Sequence, residues 1–345
     1  MAQEAFDWIK AQKNCTAIAL DLSSFFETID HRNLKSQWAK ILNEENLPED
    51  HYKVFKSITR YSYLDLHETL DALGWFDASG ELRETLSPKT GEPEKNMPFP
   101  LRKHGNSPDL AIKDFRDLRK NNPDLLNINK NAFGIPQGSP ISALLSNISM
   151  IDFDVACQEM VSAENGIYRR YSDDILLLFP AKIDHQEIIA ETDKLLHKFG
   201  GKALKLNTDK TEVRFFTIQE EIPSCIDANT KESDSLQYLG FEFNGESIFI
   251  RSSSLSRYWR KVISKVNAAK NRAHKKTKEC GIETPVYKRK IYRQFTHLGV
   301  RQRNFVKYAF ESSKIMGSKD IRNQVSNHWN RIQKEFNLPR RADRK

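Results

Sequence analysis

The sequence predicts an α+β protein in which a part containing a sheet is followed by an all-helical part. Up to residue 250, short apolar runs typical of strands alternate irregularly with amphipathic segments typical of helices. Beyond residue 250 only helical patterns remain, and the charge changes from acidic to basic. The chain has 345 residues, of which 39% are hydrophobic, so it can form about two domains with buried cores.

Strands are predicted where apolar runs end at turn residues. The first run, over 16–22, is almost wholly apolar and carries one acid near its C-terminal end. Asn244-Gly245 is typical of a tight hairpin turn between two strands. The strands predicted in this way cover residues 16–22, 167–171, 175–179, 211–217, 236–243 and 248–251.

Helices are predicted from apolar residues spaced three and four apart and from capping residues. Asp30 is predicted as an N-cap, because its carboxylate can accept a free backbone N–H at a helix start. Residues 77–108 are rich in Gly, Pro, Ser and charge, which indicates a long surface insertion. The predicted helices cover residues 2–13, 31–43, 49–70, 110–120, 141–161, 185–199, 254–279, 284–312 and 318–336.

The distribution of charge indicates a polyanionic partner. Residues 251–345 contain 26 Lys and Arg against 6 Asp and Glu, a net charge of +20. Residues 1–250 contain 28 against 40, a net charge of −12. Aromatic residues are interleaved with the cations after residue 250, so this part can pack a core as well as bind nucleic acid. A solvated helical face is the alternative explanation.

Other features exclude several classes of protein. The longest apolar run, over 175–179, is too short to span a bilayer, so no membrane partner is expected. The N-terminal residues lack the basic and apolar regions of a secretory signal. The four cysteines are scattered, which favours free thiols over a zinc site or a disulfide framework. The sequence therefore predicts a cytoplasmic protein.

The pair Asp173-Asp174 is the most informative chemical feature of the sequence. Adjacent carboxylates at a hairpin turn repel each other and need a counter-charge, which a divalent cation supplies. An ordinary polar turn is the alternative, since Asp is common in turns. Asp21 favours the metal site, because it ends an otherwise apolar strand, where an unpaired buried carboxylate is strongly disfavoured.

Asp21, Asp173 and Asp174 together are the minimum ligand set for two metal ions about 4 Å apart that support in-line phosphoryl transfer. In such a site one ion lowers the pKa of the attacking hydroxyl and the other neutralises the leaving pyrophosphate. Carboxylate ligands without a Cys/His cluster match two Mg²⁺ ions, with Mn²⁺ as the alternative.

Five segments resemble, in order, motifs A to E of reverse transcriptases. They are Asp21-Leu-Ser-Ser-Phe-Phe26, Gly134-Ile-Pro-Gln-Gly-Ser-Pro140, Tyr171-Ser-Asp-Asp174, Leu204-Lys-Leu-Asn-Thr-Asp-Lys210-Thr and Tyr238-Leu-Gly-Phe241. The resemblance covers residues 15–250 and is strongest to prokaryotic enzymes of the group II intron, retron and abortive-infection or defence-associated type. It implies a right-hand polymerase with palm and fingers, an antiparallel palm sheet and an all-helical thumb.

The resemblance also implies a division into domains and a set of metal ligands. Residues 1–250 would form the palm with reduced or rearranged fingers, with 32–133 rich in insertions, and residues 251–345 the basic thumb. Asp21 and Asp173 would bridge both metal ions. Asp174 would be a further ligand, and the backbone carbonyl of Leu22 would complete the shell.

Several residues match nucleotide-binding positions of the family. Phe26 matches the steric gate, whose ring leaves no room for a ribose 2′-OH, although core packing beside Phe25 is the alternative. Gln137 and Gly138 match the loop that lies against the incoming nucleotide and the template base, although a helix-start turn is the alternative. Lys210 matches a residue that protonates or stabilises the departing pyrophosphate, although it is also explained as a solvated lysine.

The nucleic-acid contacts implied by the resemblance lie in motif E and beyond it. Leu239 and Gly240 match the segment that holds the primer end, although they also suit a simple hairpin turn. The residues predicted to contact nucleic acid are Tyr171, Leu239, Gly240, Arg257, Arg260 and Lys261.

The sequence departs from the family pattern at two places. Only 20 residues precede Asp21, whereas most relatives have a longer segment there that supplies cations for the triphosphate. A homo-oligomer, a partner subunit or a bound RNA could complete the fingers instead. Ser172 stands where relatives carry Ala, Cys, Met or Val, and a small residue should be tolerated there. The candidates within this chain for the missing triphosphate contacts are Arg102, Lys103, Arg116 and Arg119.

The leading hypothesis is an RNA-directed DNA polymerase that uses dNTPs and a dedicated non-coding RNA as template, primer or scaffold, with DNA as the product. Because no endonuclease, maturase or RNase H segment follows the last predicted helix, we expect a retron-like or anti-phage defence role. One alternative is a template-independent or repeat-synthesising DNA polymerase that resembles a terminal transferase and is primed by a protein hydroxyl. The other is a catalytically idle RNA-binding scaffold.

Overall fold

The computed structural model describes residues 1–73, 112–219, 222–299 and 303–340, together with 76, 80, 85–86, 93–94 and 343. The chain divides into two compact units, one formed by Met1–Ser23 with Met150–Lys345 and the other by Ser24–Ser149. Both contain helices and antiparallel strands, which confirms the predicted α+β class. None of the described helices has the length and apolar character that a membrane crossing requires.

The helices, in chain order, are α1 (Ala2–Ala11), α2 (Phe25–Thr28), α3 (His31–Ile41), α4 (Glu49–Thr59), α5 (Leu66–Ala72), α6 (Ile112–Asn121), α7 (Ser142–Ile148), α8 (Ile151–Ala163), α9 (His185–Leu195), α10 (Ser252–Cys280), α11 (Arg289–Phe295), α12 (Phe305–Ile315), α13 (Lys319–Ser326) and α14 (His328–Asn337). The strands are β1 (Asn14–Asp21), β2 (Ser62–Leu64), β3 (Thr85–Leu86), β4 (Pro93–Glu94), β5 (Leu126–Ile128), β6 (Ile167–Tyr171), β7 (Asp174–Phe179), β8 (Glu212–Gln219), β9 (Ile222–Asp227), β10 (Leu236–Tyr238), β11 (Phe241–Phe243) and β12 (Ile248–Ile250).

A five-stranded antiparallel sheet in the order β6-β7-β1-β8-β9 forms the centre of the first unit. β1 and β7 are neighbours within it, and most of their residues are buried. This position explains why both strands are continuous apolar runs in the sequence. A second antiparallel sheet, β10-β11-β12, shares the same core, where Phe243 lies 5.5 Å from Phe216 and 5.0 Å from Phe6 between ring centroids.

Helices α10, α11, α12 and α14 enclose another core in the first unit. Val262, Val266 and Ile332 are almost wholly buried within it. Helix α13 packs against β12, where the side chain of Gln324 accepts a hydrogen bond from the backbone N–H of Ile250 at 2.8 Å. The basic part of the chain therefore forms a packed helical structure. Helix α13 connects it to the smaller sheet.

The second unit is mainly helical within its described residues. Helix α3 begins after Asp30, whose side chain accepts from the backbone N–H of Asn33 at 2.8 Å, which confirms the predicted N-cap. The side chain of Asn33 in turn donates to the carbonyl of Ser149 at 2.8 Å, and α3 packs against α7. Strands β2 and β5 form a short antiparallel pair.

The helix predicted over 49–70 is wrong in its second half. Helix α4 ends at Thr59, and strand β2 follows it. Tyrosine side chains at 61 and 63 favour a strand, and pairing with β5 satisfies the backbone groups of β2 without a helix. Asp65 then begins α5 by accepting from the backbone N–H of Glu68 at 3.0 Å.

The single helix predicted over 141–161 is also wrong, because α7 and α8 take its place. The hydroxyl of Ser146 donates to the carbonyl of Ala143, and that of Ser149 donates to the carbonyl of Ser146. Such side-chain bonds compete with helical bonding close to the break. Leu144, in α7, is 59% exposed, whereas Leu145 beside it is buried.

The remaining differences concern turns that interrupt predicted elements. Leu239 and Gly240 have positive φ angles of 48° and 85° and divide the strand predicted over 236–243 into β10 and β11. The three helices predicted after residue 250 are five within the described residues, and Asn304 starts α12 by accepting from the backbone N–H of Lys307. Strand β9 was not predicted. Most of the predicted insertion over 77–108 lies outside the described residues.

Candidate catalytic site

The acids predicted as metal ligands lie at one edge of the five-stranded sheet, which we call the acidic edge (Asp21, Asp173 and Asp174). In the antiparallel pairing of β1 with β7, Asp21 stands directly opposite Asp174, so both side chains project from the same face. The backbone N–H of Leu22 donates to the carbonyl of Asp173 at 3.2 Å, which extends the pairing past the end of β1. Strand pairing thus brings Asp21 and Asp174, which are 153 positions apart in the sequence, to one place.

The turn of the β6–β7 hairpin consists of Ser172 and Asp173. Ser172 has a φ angle of 58°, in the left-handed region that a tight hairpin turn uses. Asp174 is the first residue of β7 and pairs with Tyr171. The turn is therefore one residue shorter than the predicted Ser172-Asp173-Asp174, and it leaves Asp173 at the tip and Asp174 in the strand register.

Negative charge is concentrated at the acidic edge. Partial desolvation raises the pKa of the Asp174 carboxyl, and the charges of Asp173 and Asp21 raise it further. The cationic side chains of Lys210 and Arg251 act in the opposite direction. A carboxyl whose neighbours are two other carboxylates is stabilised by any cation that binds among them.

Lys210 is the cation in direct contact with this edge. Its Nζ lies 2.9 Å from Oδ2 of Asp21, and the side-chain amide of Asn207 donates to the same oxygen at 3.3 Å. The hydrogen bond and the charge of Asp21 raise the pKa of Lys210, and Asp173 and Asp174 add to this effect. The Lys210 side chain is 63% exposed and that of Asp21 16% exposed, so the ammonium caps the edge from the solvent side.

The segment that carries Lys210 is fastened to the end of β1 by backbone bonds. The N–H of Asn207 donates to the carbonyl of Asp21 at 2.8 Å, and the N–H of Ser23 donates to the carbonyl of Lys205 at 2.9 Å. Leu22 and Leu206 form an antiparallel bridge between these bonds. Motif D therefore presents Lys210 to Asp21 from a fixed backbone, and Leu22 is buried in this junction.

The residue types at the acidic edge fit a divalent cation. Three carboxylates offer hard oxygen donors of the kind that Mg²⁺ and Mn²⁺ prefer. Across the described residues, no three Asp, Glu, His or Cys side chains are grouped closely enough to hold a metal ion as they stand. A cation at Oδ2 of Asp21 would compete with the Lys210 ammonium for that oxygen.

Sequence reasoning missed a buried ion pair that supports the turn. Arg170 binds Asp154 with two hydrogen bonds of 2.7 Å each, and its third donor reaches the carbonyl of Ser172 at 2.9 Å. The hydroxyl of Tyr168 also donates to Asp154, at 2.6 Å. The Arg170 side chain is only 5% exposed. The signal in the sequence is a basic and an aromatic residue two positions apart on a strand, which puts both on one face.

The turn predicted to hold the primer also borders the acidic edge. Leu239 and Gly240 form the β10–β11 turn, and the carbonyl of Gly240 accepts from the backbone N–H of Arg251 at 2.9 Å. Burial, followed by the charge of Asp174, raises the pKa of Tyr238 to about 12. Its buried hydroxyl has no hydrogen-bond partner among the described residues. Arg251, which the prediction did not name, lies where its charge reaches Asp174.

Phe26, Gln137 and Gly138, which are predicted to bind the nucleotide, lie in the second unit, whereas Leu22 and Lys210 lie in the first. Phe26 is partly exposed, its ring centroid is 5.5 Å from that of the buried Phe25, and its carbonyl accepts from the N–H of Ile135 at 2.8 Å. That bond joins the end of motif A to the start of motif B. Gln137 and Gly138 are exposed. The φ angle of Gly138 is 88°, which glycine adopts without strain and other residues rarely adopt.

The remaining predicted contacts are on the surface where the structure describes them. Tyr171 is 61% exposed at the end of β6. The cations predicted to contact nucleic acid are exposed on α10, and those predicted to contact the triphosphate are exposed on α6; they are Arg257, Arg260, Lys261, Arg116 and Arg119. Arg102 and Lys103 lie outside the described residues.

One protein-family model matches part of this chain. Residues 100–243 match the family model described as reverse transcriptase (RNA-dependent DNA polymerase). The matched range is 144 of the 345 residues, and this part of the chain is similar to reverse transcriptase domains, which are RNA-directed DNA polymerases. Domains of this family generally use divalent metal ions. The matched range contains Asp173, Asp174 and Lys210, whereas Asp21 precedes it. No curated protein matches the chain.

Solved structures give a more distant likeness. The apo telomerase of Candida tropicalis has 12% identity and a TM-score of 0.40, and the match covers 98% of this chain and 47% of that one. The telomerase of Candida albicans in complex with a fragment of telomeric RNA has 12% identity and a TM-score of 0.40, with 97% and 50% covered. This chain spans about half the length of these structures. A likeness of this size does not establish a shared fold.

Proposed function

We propose that this chain is an RNA-directed DNA polymerase whose reaction centre is the acidic edge. The observation that carries the proposal is the register of β1 and β7, which sets Asp21 opposite Asp174 beside a hairpin that lies within the reverse transcriptase match. That register explains why an acid ends a buried strand, since Asp21 is needed at the edge rather than in the core.

The acids and Lys210 have different roles in the proposed reaction. Asp21, Asp173 and Asp174 would hold two Mg²⁺ ions, or Mn²⁺ as the alternative, and the backbone carbonyl of Leu22 would complete the ligand set. When bound, such ions supply an activated primer hydroxyl and charge neutralisation for the leaving pyrophosphate. Lys210 would donate a hydrogen bond or a proton to the pyrophosphate, because its ammonium is held at the edge and its side chain is 63% exposed.

The proposal assigns substrate contacts in both units. Phe26 would exclude a ribose 2′-OH, and Gln137 with Gly138 would lie against the nucleotide and the template base. The turn of Leu239 and Gly240 would hold the primer end. The exposed cations of α10 would bind the template–primer backbone. In this division, residues 1–250 act as palm and reduced fingers and residues 251–345 as a basic thumb.

The biological setting belongs to the same proposal. Ile29-Asp30-His31, Pro136-Gln-Gly-Ser139 and Leu145-Ser-Asn147 resemble the prokaryotic enzymes, and this resemblance supports a defence-associated or retron-like polymerase with a dedicated non-coding RNA. A cytoplasmic location is supported by the cysteines, all four of which are free thiols.

The decisive experiment removes the two acids of the hairpin together. The variant with Asp173→Ala and Asp174→Ala is compared with Glu232→Ala, an exposed acid away from the edge. We expect the double variant to lose dNTP incorporation on an RNA template by a factor of about 10³ or more, because no metal ligand remains on β7. RNA affinity should stay close to that of the Glu232→Ala control.

Undiminished synthesis by the double variant would overturn the proposal. Sequencing the product of the unmodified protein tests the templated part of it, because a copy of the supplied RNA supports RNA direction and a repeat unrelated to that RNA contradicts it. Replacing Phe26 by Ala should raise the use of rNTPs relative to dNTPs.

A further inference from the structure

A polar pocket of about 400 Å³ lies in the second unit, between α4, the first residue of α3 and the segment after β5. Its lining includes cations, an exposed aromatic ring and amides. Among these residues are His31, Tyr52, Lys56, Arg60, Asn129 and Lys130. We call it the cationic pocket. None of the predicted site residues lies in it.

The floor of the cationic pocket is held by a network around one buried amide. The side chain of Asn129 donates to the carbonyl of Thr59 and to that of Phe133, each at 3.0 Å. Its oxygen accepts from the backbone N–H of Asn131 at 3.2 Å. The backbone N–H of Asn129 donates to the carbonyl of Tyr61 at 2.9 Å. A pocket whose floor is fixed in this way loses little entropy when a ligand binds.

The charges on the rim are unbalanced. Lys56, Arg60 and Lys130 are all exposed, and within the described part of the chain none of them forms an ion pair with a carboxylate. The described lining residues include no Asp or Glu. Lys53, on the same helix but outside the pocket, is instead paired with Glu49 at 2.7 Å. Unpaired positive charge around a concave surface attracts anions.

An aromatic ring faces the same pocket. The ring of Tyr52 is 41% exposed and is stacked on Phe55, with centroids 6.1 Å apart and an interplanar angle of 16°. The ammonium groups of Lys35 and Lys56 lie 5.2 Å and 5.9 Å from its centre. An aromatic ring whose orientation is fixed by stacking, and which has cations beside it, can stack on a nucleotide base while the cations contact the phosphate.

The pocket is directly connected to motif B. Nε2 of His31 is hydrogen-bonded to the carbonyl of Gly134 at 2.7 Å, and the N–H of Gly134 donates to the carbonyl of Ile29 at 2.8 Å. Gly134 has a φ of 93°, and a Cβ at this position would approach the carbonyl oxygen of Glu27 to 2.8 Å. One wall of the pocket therefore positions the start of the loop that continues to Gln137.

We infer that the cationic pocket binds the phosphate groups of a nucleotide or of a nucleic-acid strand, with Lys56, Arg60 and Lys130 as the phosphate contacts and Tyr52 against a base. This inference rests on the proposed function, to which it adds cationic contacts for phosphate groups. It adds residues on α4 and after β5 to the candidates for triphosphate contacts on α6.

The test measures binding without catalysis. The 345-residue chain in EDTA is titrated with inorganic tripolyphosphate by calorimetry and with a labelled single-stranded RNA 12-mer by fluorescence anisotropy. EDTA removes the divalent ions that a triphosphate needs at the acidic edge. The test variant combines Lys56→Gln, Arg60→Gln and Lys130→Gln, and the control is Lys53→Gln.

We expect the triple variant to weaken binding of at least one ligand about tenfold or more, whereas the control keeps the affinity of the unmodified protein. A loss for tripolyphosphate identifies a nucleotide triphosphate as the source of the phosphate. A loss of RNA affinity with a flatter salt dependence identifies a nucleic-acid strand as the source of the phosphate. Tyr52→Leu should then weaken the binding of RNA but not that of tripolyphosphate.

Unchanged binding of both ligands by the triple variant would overturn the inference. Thermal unfolding checks that the triple variant is folded. If it is not folded, the single substitution Lys130→Glu, at an exposed position, tests the same inference by the same binding measurements. These measurements need no polymerisation, so they test the cationic pocket separately from the proposed function. If the unmodified protein does not incorporate dNTPs but the triple variant loses tripolyphosphate or RNA binding, the proposed function is refuted and the inference about the pocket stands.

Discussion

Two ion pairs border the acidic edge, and they differ in burial. Arg170 and Asp154 form a bidentate pair in which the arginine side chain is 5% exposed, and the arginine also holds the carbonyl of Ser172. Lys210 and Asp21 form a single contact in which the lysine side chain is 63% exposed. The side chain of Asp154 is 34% exposed, so breaking its pair with Arg170 leaves a carboxylate that water reaches only in part, whereas an exposed pair exchanges with water at little cost.

Because the two ion pairs differ in burial, they have different roles at the acidic edge. The buried pair fixes the backbone of the turn that presents Asp173, so Arg170 is a positioning residue. The exposed pair keeps the acidic edge partly neutralised and leaves the ammonium free to move to another anion. A site that must admit cations and phosphates needs both a rigid frame and a replaceable counter-ion.

The largest effect is expected from breaking the buried pair. Arg170→Leu should lower the free energy of unfolding by about 2 kcal/mol, because Asp154 loses its guanidinium partner but is 34% exposed and keeps the Tyr168 hydroxyl. Chemical denaturation measures this loss. The double variant Arg170→Leu with Asp154→Leu should recover only part of the stability, since an apolar pair can replace an ion pair but the buried Tyr168 hydroxyl loses its acceptor.

The double variant also separates packing from positioning. The Ser172 carbonyl has no guanidinium donor in it, so kcat for dNTP incorporation should stay at least about tenfold below that of the unmodified protein. Recovery of both stability and kcat would show that Arg170 acts through packing alone and not by positioning the turn.

A smaller effect on stability, but a clear one on rate, is expected at the exposed pair. Lys210→Met should change the free energy of unfolding by less than about 1 kcal/mol, because the lysine is mainly in solvent. The rate of dNTP incorporation should fall by a factor of about 10², as expected when a donor to developing charge is lost. The exposed Lys202→Gln is the control, and equal rates for both variants would contradict the role of Lys210.

The smallest effect concerns the pH dependence of stability. The pKa of Asp174 is raised in the folded protein, so the folded state binds more protons than the unfolded state and loses stability as pH rises through the folded pKa. Asp174→Asn should therefore be slightly more stable than the unmodified protein at pH 7 in the absence of divalent ions. The difference should vanish below about pH 4, where the carboxyl is protonated in both states.

Denaturant unfolding at several pH values measures this difference. Because Asp174 is exposed, added salt should reduce the gain. A gain that persists at low pH would mean that it comes from packing and not from the charges of Asp173 and Asp21.

The sequence predicted the elements whose cause is local. Apolar runs identified β1, β6 and β7 to within two residues, because buried strands need such runs wherever they occur. Asp30 was recognised as an N-cap because its bond reaches only three residues ahead. Predictions failed where a distant partner decided the outcome, as in β2, which is a strand because it pairs with β5.

The candidate site shows the same limit. The acids could be named from the sequence because a carboxylate at the end of an apolar strand is conspicuous, but neither the ion pair of Arg170 with Asp154 nor the charge of Arg251 near Asp174 could be read from spacing. The cationic pocket has no motif at all, since its cations come from α4 and from the segment after β5.

The sequence by itself determined the α+β class, the strands that carry the acids and the chemical character of the acidic edge, because burial periodicity and residue type are local properties. Only the tertiary structure decided that Asp21 stands opposite Asp174, that Lys210 closes on the same carboxylate and that Arg170 supports the turn. Those contacts depend on strand register and on side-chain distances between residues far apart in the chain, which no single stretch of sequence encodes.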